Sequence, residues 1–120
     1  MQILLGLDGS ELSVRALDRT IERASETGDS LTVAVYVDTT DETLDDLEQL
    51  ARDRIGSATV DAAVHRIEGD PGSGLLELAA DGYDRIVLGG GTISPMGKIR
   101  LGDVVEFVLA NATTTVTLVR

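Results

Sequence analysis

A chain of 120 residues, 42% of them hydrophobic, is long enough for one domain with a single core, and no stretch of it is apolar enough to span a membrane. Its 21 acidic and 10 basic residues leave a formal net charge of −11, a field that repels nucleic-acid backbone and anionic lipid and argues against both as partners. There is no Cys and only one His, His65, so disulfides, thiolate chemistry and a His-based metal cluster are excluded.

The first predicted element is a strand, Gln2 to Leu7. Ile3, Leu4, Leu5 and Leu7 make it apolar on both faces, the pattern of a strand in the middle of a parallel sheet. No basic region or cleavage-type pattern precedes it, so no signal peptide is expected and the expected compartment is the cytoplasm. The strand ends at Asp8-Gly9-Ser10, where Ser10 suits the N-cap of a helix whose core stripe reads Val14, Leu17, Ile21 and Ala24. Gly28 suits the left-handed residue after that helix. Leu31 to Val37 is a second strand, and Asp38-Thr39-Thr40-Asp41 ends it and supplies the next cap. The second helix carries Leu44, Leu47, Ala51 and Ile55 on one stripe and stops at Gly56-Ser57. Thr59 to Ile67 is a third strand, which Asp61, His65 and Arg66 make polar enough for a sheet edge. Asp70 caps a third helix, Ser73 to Ala80, with Pro71 at its first turn and Gly82 at its end. Arg85 to Leu88 is the fourth strand.

The following stretch holds the candidate chemistry. Leu88 runs into Gly89, Gly90 and Gly91, then a loop with Ser94, Pro95, Gly97 and Lys98, and Gly102-Asp103 opens an apolar helical run from Val104 to Leu109. A strand, a glycine loop and a helix N-terminus in that order present backbone N–H groups to a phosphate, and glycine lets backbone approach a ligand where a Cβ would collide. The same loop also reads as a plain turn between strand and helix. Thr115 to Val119 is the last strand, with Val116 and Leu118 on one side and Thr115 and Thr117 on the other. A half-polar terminal strand reads as an edge, and exposed edges invite pairing, so a homodimer through this strand is expected.

Strands alternating with helices predict an α/β domain over residues 1–120, with a parallel sheet, right-handed crossovers and helices on both faces. Ligands of such sheets bind beyond the carboxyl ends of the strands, where strand order reverses. The first and fourth strands flank that crevice, with Asp8 facing the Gly89 loop.

Three stretches together resemble the universal stress protein (UspA) family over nearly the whole chain. They are Ile3-Leu4-Leu5-Gly6-Leu7-Asp8-Gly9-Ser10-Glu11 with Arg15-Ala16-Leu17, the turn Gly69-Asp70-Pro71, and Gly89 to Gly102 with Val104, Glu106, Val108 and Val116 to Val119. The middle, around the second helix, is shorter than is usual in that family. The acidic composition, with Lys98 the only lysine, resembles that of proteins from salt-loving archaea. The family resemblance implies a Rossmann-like three-layer α/β/α fold, a five-stranded parallel sheet in the order 3-2-1-4-5, a dimer paired through the last strand, and ATP binding in some members but not others. It implies a nucleotide site at Gly6, Leu7 and Asp8, at Tyr36, at Gly89, Gly90, Gly91, Thr92 and Lys98, and at Gly102, Asp103 and Val104.

Nucleotide-binding members have a glycine, two residues, a second glycine, nine residues, then Gly followed by Ser or Thr. Gly89 and Gly102 fit; Thr92 stands at the second glycine and Asp103 at the Ser or Thr. An Asp at a helix start is expected to take the free N–H groups with its own carboxylate. It also repels a phosphate, by about 4 kcal/mol for unit charges roughly 4 Å apart at an effective dielectric of about 20. Lys98 and Arg100 in the same loop either oppose that charge or are solvated. Asp8 reads either as a base and ribose contact or as a local turn cap, and Tyr36 either as an adenine-pocket wall or as core.

Two functions follow. One is a stress-response regulator that binds ATP, or AMP with less charge near Asp103, and passes its state to an unknown protein partner. The other is a member that binds no nucleotide and acts only through dimer and partner contacts. Catalysis is not expected. Ser10 and Ser94 have no His partner, and the clustered acids and late Lys of a phosphate-accepting receiver domain are missing.

Overall fold

Ile3, Leu4, Leu5 and Leu7 are all buried, so the first strand, β1 (Gln2–Leu7), has no solvent face. The computed structural model describes residues 1–38, 41–93 and 95–120. After β1 come α1 (Glu11–Thr27), β2 (Ser30–Val35), α2 (Leu44–Ile55), β3 (Ala62–Arg66), α3 (Pro71–Ala79) and β4 (Arg85–Gly89). A short hairpin, β5 (Thr92–Ile93) and β6 (Ile99–Arg100), precedes α4 (Asp103–Asn111) and β7 (Thr115–Val119). The main sheet is parallel, in the order β3-β2-β1-β4-β7, which is 3-2-1-4-5 when the hairpin is set aside. This is the expected three-layer arrangement. Ile3, Leu5 and Leu7 point to a core shared with α1 and α2, and Leu4 points to a second core with α3 and α4.

Caps account for most helix boundaries. The Ser10 side chain accepts from the Ser13 amide at 3.2 Å, and Gly28, at φ 79°, ends α1 in the left-handed region where a Cβ would be strained. The cap of α2 is Thr43, not a residue of the 38–41 stretch. Thr43 Oγ1 accepts from the Asp46 amide while Asp46 Oδ2 accepts from the Thr43 amide, a reciprocal capping box. Thr39 and Thr40 lie outside the described residues. Asp70 accepts from the Ser73 amide at 2.9 Å with Pro71 in the first turn, so α3 starts two residues before the predicted Ser73.

Other strand limits also shift. β2 stops at Val35 instead of Val37, although the Tyr36 amide still donates to Leu7 O at 3.1 Å. β3 is shorter than predicted and is the edge strand on its side. The buried stripe of α1 is Ser13, Ala16, Leu17, Thr20, Ile21 and Ala24, with Val14 only partly covered. Small residues lie innermost because α1 sits close on the sheet. The buried Ser13 and Thr20 hydroxyls are satisfied by the carbonyls of Ser10 and Ala16. The segment after Gly91, read as an open loop, is instead an antiparallel hairpin that pairs Thr92 with Arg100 and Ile93 with Ile99.

The α3 cap generates a pH prediction. The Ser73 backbone amide, helped by the Ser73 side chain, holds the Asp70 carboxyl below the usual carboxylate range. A depressed carboxylate contributes stability that is present above the unfolded value of about 3.9 and is lost as pH falls through the lower folded value. Asn caps a helix without titrating. Urea unfolding from neutrality down to about pH 2 is therefore expected to show a shallower acid-side loss for Asp70→Asn than for the wild type. Parallel curves would remove Asp70 as a source of acid sensitivity.

Candidate functional site

The two crossovers leave β1 and β4 as neighbours whose chains depart in opposite directions. A cleft of about 550 Å³ opens beyond their carboxyl ends, where ligands of such sheets bind. One wall comes from the turn after β1 and the start of α1: Asp8, Ser10, Glu11 and Leu12. The opposite wall comes from Gly89, Gly90 and Gly91, from Arg100 and Leu101, and from the first turn of α4 at Gly102, Val104 and Val105. Tyr36 and Asp38, just past β2, close the third side.

Glycine 89 holds these walls together. A Cβ there would lie 2.3 Å from Leu12 C, 2.4 Å from Leu12 O and 2.4 Å from Ser13 N. Those are backbone atoms with no rotamer to yield, so the end of β4 touches the first turn of α1 directly. The next amide, Gly90 N, donates to Val119 O at 3.0 Å and anchors the glycine loop to β7. Gly102 is different. It is the N-cap of α4 with an ordinary φ of −73°, and a Cβ there would meet nothing within 4 Å.

The cap of α4 corrects the sequence reading of Asp103. Asp103 is the first helical residue, exposed, and no side chain among the described residues caps the helix start. The leading amides of α4 therefore stay uncapped beside the cleft, where Gly102, Val104 and Val105 form its wall. The carboxylate of Asp103 still contributes charge, as its effect on Asp38 shows. Partial burial first, then the charges of Asp8 and Asp103, push the Asp38 carboxyl above the usual range. Burial, followed by Asp8 and Asp38, likewise raises the Tyr36 hydroxyl. Arg100 is the basic side chain among the cleft's described lining residues. The acids do not form a metal centre: among the described residues no three such groups converge to hold an ion.

Of the predicted site residues, Asp8, Tyr36, Gly89, Gly90, Gly91, Gly102 and Val104 line the cleft. Gly6 and Leu7 do not; both are buried in β1, and Gly6 makes room for Leu88 and the Tyr36 ring, which a Cβ would approach to 2.7 and 3.2 Å. Thr92 lies in β5, and Lys98 is exposed on the hairpin outside the lining. Asp103 stands at the rim. Ser94 lies outside the described residues. Both readings of Asp8 have structural content, since its Oδ1 accepts from the Ser10 amide at 2.9 Å while the residue lines the cleft. Tyr36 likewise is a core residue with one side on the cleft. In the sequence Asp38 reads as part of the stretch that ends a strand and supplies the next cap. Its place, two residues past Tyr36 at the carboxyl end of a strand next to β1, is the signal that could have found it.

The sequence model of the Universal stress protein family matches residues 1–120. A solved universal stress protein from Archaeoglobus fulgidus superposes with a TM-score of 0.80 at 22% identity, covering 100% of this chain and 98% of that one. A universal stress protein solved in complex with cAMP gives 0.78 at 27% identity, covering 100% and 96%. An Archaeoglobus fulgidus universal stress protein in complex with dAMP gives 0.75 at 21%, covering 100% and 98%. The search of curated proteins gave no match.

The two outer glycines of the loop are expected to separate in stability measurements. Gly89→Ala forces a Cβ into the α1 backbone and is expected to cost more than about 2 kcal/mol. Gly102→Ser points into open space at a cap position that favours Ser and is expected to stay within about 0.5 kcal/mol of the wild type. Chemical denaturation of both variants checks the pair, and equal losses would contradict the contact assigned to Gly89.

Proposed function

The chain belongs to the universal stress protein family, and from that premise we propose that its cleft binds a low-charge adenine nucleotide, of the monophosphate or cyclic monophosphate class. The observation that carries this reading is the uncapped start of α4 beside the cleft, opposite the Asp8 turn and the Tyr36 ring. Backbone amides at a helix start suit one phosphate group, and the apolar surfaces of Tyr36, Leu12, Leu101 and Val105 suit a planar base. Two relatives of the same fold were solved with cAMP and with dAMP, ligands of this class.

Charge narrows the choice further. Asp8, Glu11 and Asp38 line the cleft and Asp103 stands at its rim, against Arg100. Each added phosphate brings more negative charge against those carboxylates. ATP therefore ranks below AMP and cAMP as ligand. The bound state is passed on through a homodimer joined at β7, whose outer edge has no partner strand among the described residues. The same acids favour the second reading, a family member that binds no nucleotide and works only through its dimer and protein contacts. The net charge of −11 suits a working environment rich in salt, where repulsion is screened.

Calorimetry of AMP, cAMP and ATP is expected to show AMP and cAMP binding at least about tenfold more tightly than ATP, with Asp103→Ser narrowing the gap. Cyclic AMP carries a single phosphodiester charge, so a pH series with it reports on the protein. Because the Asp38 carboxyl is raised, it neutralises early as pH falls, and cAMP affinity is expected to rise toward acid pH and to lose that rise in Asp38→Asn. No heat from any of the three ligands at any pH would leave the second reading standing. Sedimentation at micromolar concentration tests the dimer separately, and a monomer alone would remove β7 as its interface.

A further inference from the structure

We propose that the chain carries a second ligand site, for a small aliphatic carboxylate, in the cavity between α1 and the β4–β7 side of the sheet. It shares no residue with the cleft and does not depend on the nucleotide reading. The cavity measures about 140 Å³. Its apolar walls are Ile3 of β1, Val87 of β4 and Val119 of β7, and Arg19, Arg23 and Arg85 complete the lining with Thr20 and Thr117.

That gathering runs against the composition. The chain has nine arginines and 21 acidic residues, so a typical arginine should find a carboxylate nearby. Here three of the nine meet at one cavity and their partners are sparse. Arg85 Nε is sealed from solvent and donates to no acceptor, and Arg19 makes no hydrogen bond or ion pair among the described residues. Arg23 has one contact, Nε to Asp29 Oδ2 at 3.7 Å, longer than a hydrogen bond. A sealed donor without an acceptor is costly, and native structures leave few. Nε is as closed to a ligand as to water, so the donors an acid could reach are the two terminal amino groups of the Arg85 fork, which make no hydrogen bond or ion pair among the described residues.

The chemistry of the acceptor follows from the lining. Guanidinium forks match the two oxygens of a carboxylate. Ile3, Val87 and Val119 match a short apolar stem and give nothing to a phosphate or sulfate, which has no apolar side. The volume equals about five water shares of roughly 30 Å³ each, the size of a propionate ion.

The same headgroup also occurs on a protein, as a glutamate side chain, and the test separates the two sources. The probes are propionate, its neutral isostere propionamide, and N-acetyl-glutamyl amide, titrated by calorimetry at fixed ionic strength into the wild type, Arg19→Gln and Arg85→Leu. Propionate is expected to bind and propionamide not to, with each variant weakening propionate by about tenfold or more. Arg19 is exposed on α1, so its variant keeps the test alive should Arg85→Leu fail to fold, and circular dichroism checks both. Stronger binding of propionate than of the capped glutamate assigns the site to a free acid; the reverse assigns it to a partner's side chain and overturns the small-molecule reading. Equal heats for propionate and propionamide, or unchanged propionate affinity in Arg19→Gln, overturn the site altogether.

Discussion

The whole arrangement rests on one contact, the backbone of β4 at Gly89 lying against the backbone of α1 at Leu12 and Ser13. Helices normally stand off a sheet by the length of their side chains. Here the first turn of α1 comes down to the strand itself, and the small residues Ser13, Ala16 and Thr20 let the rest of the helix follow. The approach fixes the Asp8–Ser10 turn against the glycine loop, and so it sets the width of the cleft. The first glycine of the phosphate-loop pattern is thereby explained by packing alone, before any ligand is considered. Gly102, which no contact inside the chain requires to be glycine, is the position where the ligand argument has independent force.

Much of the fold was legible because burial and punctuation agreed. β1 is apolar at Ile3, Leu4, Leu5 and Leu7, which only a central strand tolerates, and Ser10, Gly28, Asp70 and Pro71 mark helix ends by chemistry that acts locally. What was not legible depends on distance in space. The buried stripe of α1 turns toward Ser13 and Thr20 because of a strand some 75 residues away in the chain, within the range of the long contacts that tie Gln2 to Asp84. The hairpin was missed because its strands are two residues each, although Thr92-Ile93 and Ile99-Arg100 do flank a Pro95-Met96-Gly97 turn. Asp103 reads as a cap because Asp favours helix starts, yet the cap position falls one residue earlier, at Gly102, and Asp103 is already helical. That single step of register turns a self-blocked helix end into an open one.

Carboxylates stand at both ends of the sheet, and the arginines are the scarcer charge. Asp8, Asp38 and Asp103 interact at the carboxyl ends of the strands, while Arg19, Arg23 and Arg85 line a second cavity on the α1 face and Asp29, Asp61 and Asp84 hold the amino ends. Three other arginines make surface pairs among the described residues: Arg52 with Glu48 at 3.5 Å, Arg54 with Asp18 at 2.8 Å and Arg66 with Asp45 at 2.6 Å. Such exposed pairs contribute about 0–1 kcal/mol each and weaken with salt. Stability therefore comes from the two apolar layers on either side of the sheet, and the charges are left to select what binds.

The strand order also shapes how the chain is made. β1 stands at the centre of the sheet, yet its two neighbours are produced far apart in time: β2 pairs with it from residue 30, β4 only from residue 85. A ribosome adding roughly 5–20 residues per second separates those events by several seconds. During that interval the apolar flank of β1 that awaits β4 is without its partner strand, and the nascent chain is at its most vulnerable to wrong pairing. The cleft, which needs β1, β4 and the start of α4 together, is among the last parts of the molecule to come into being.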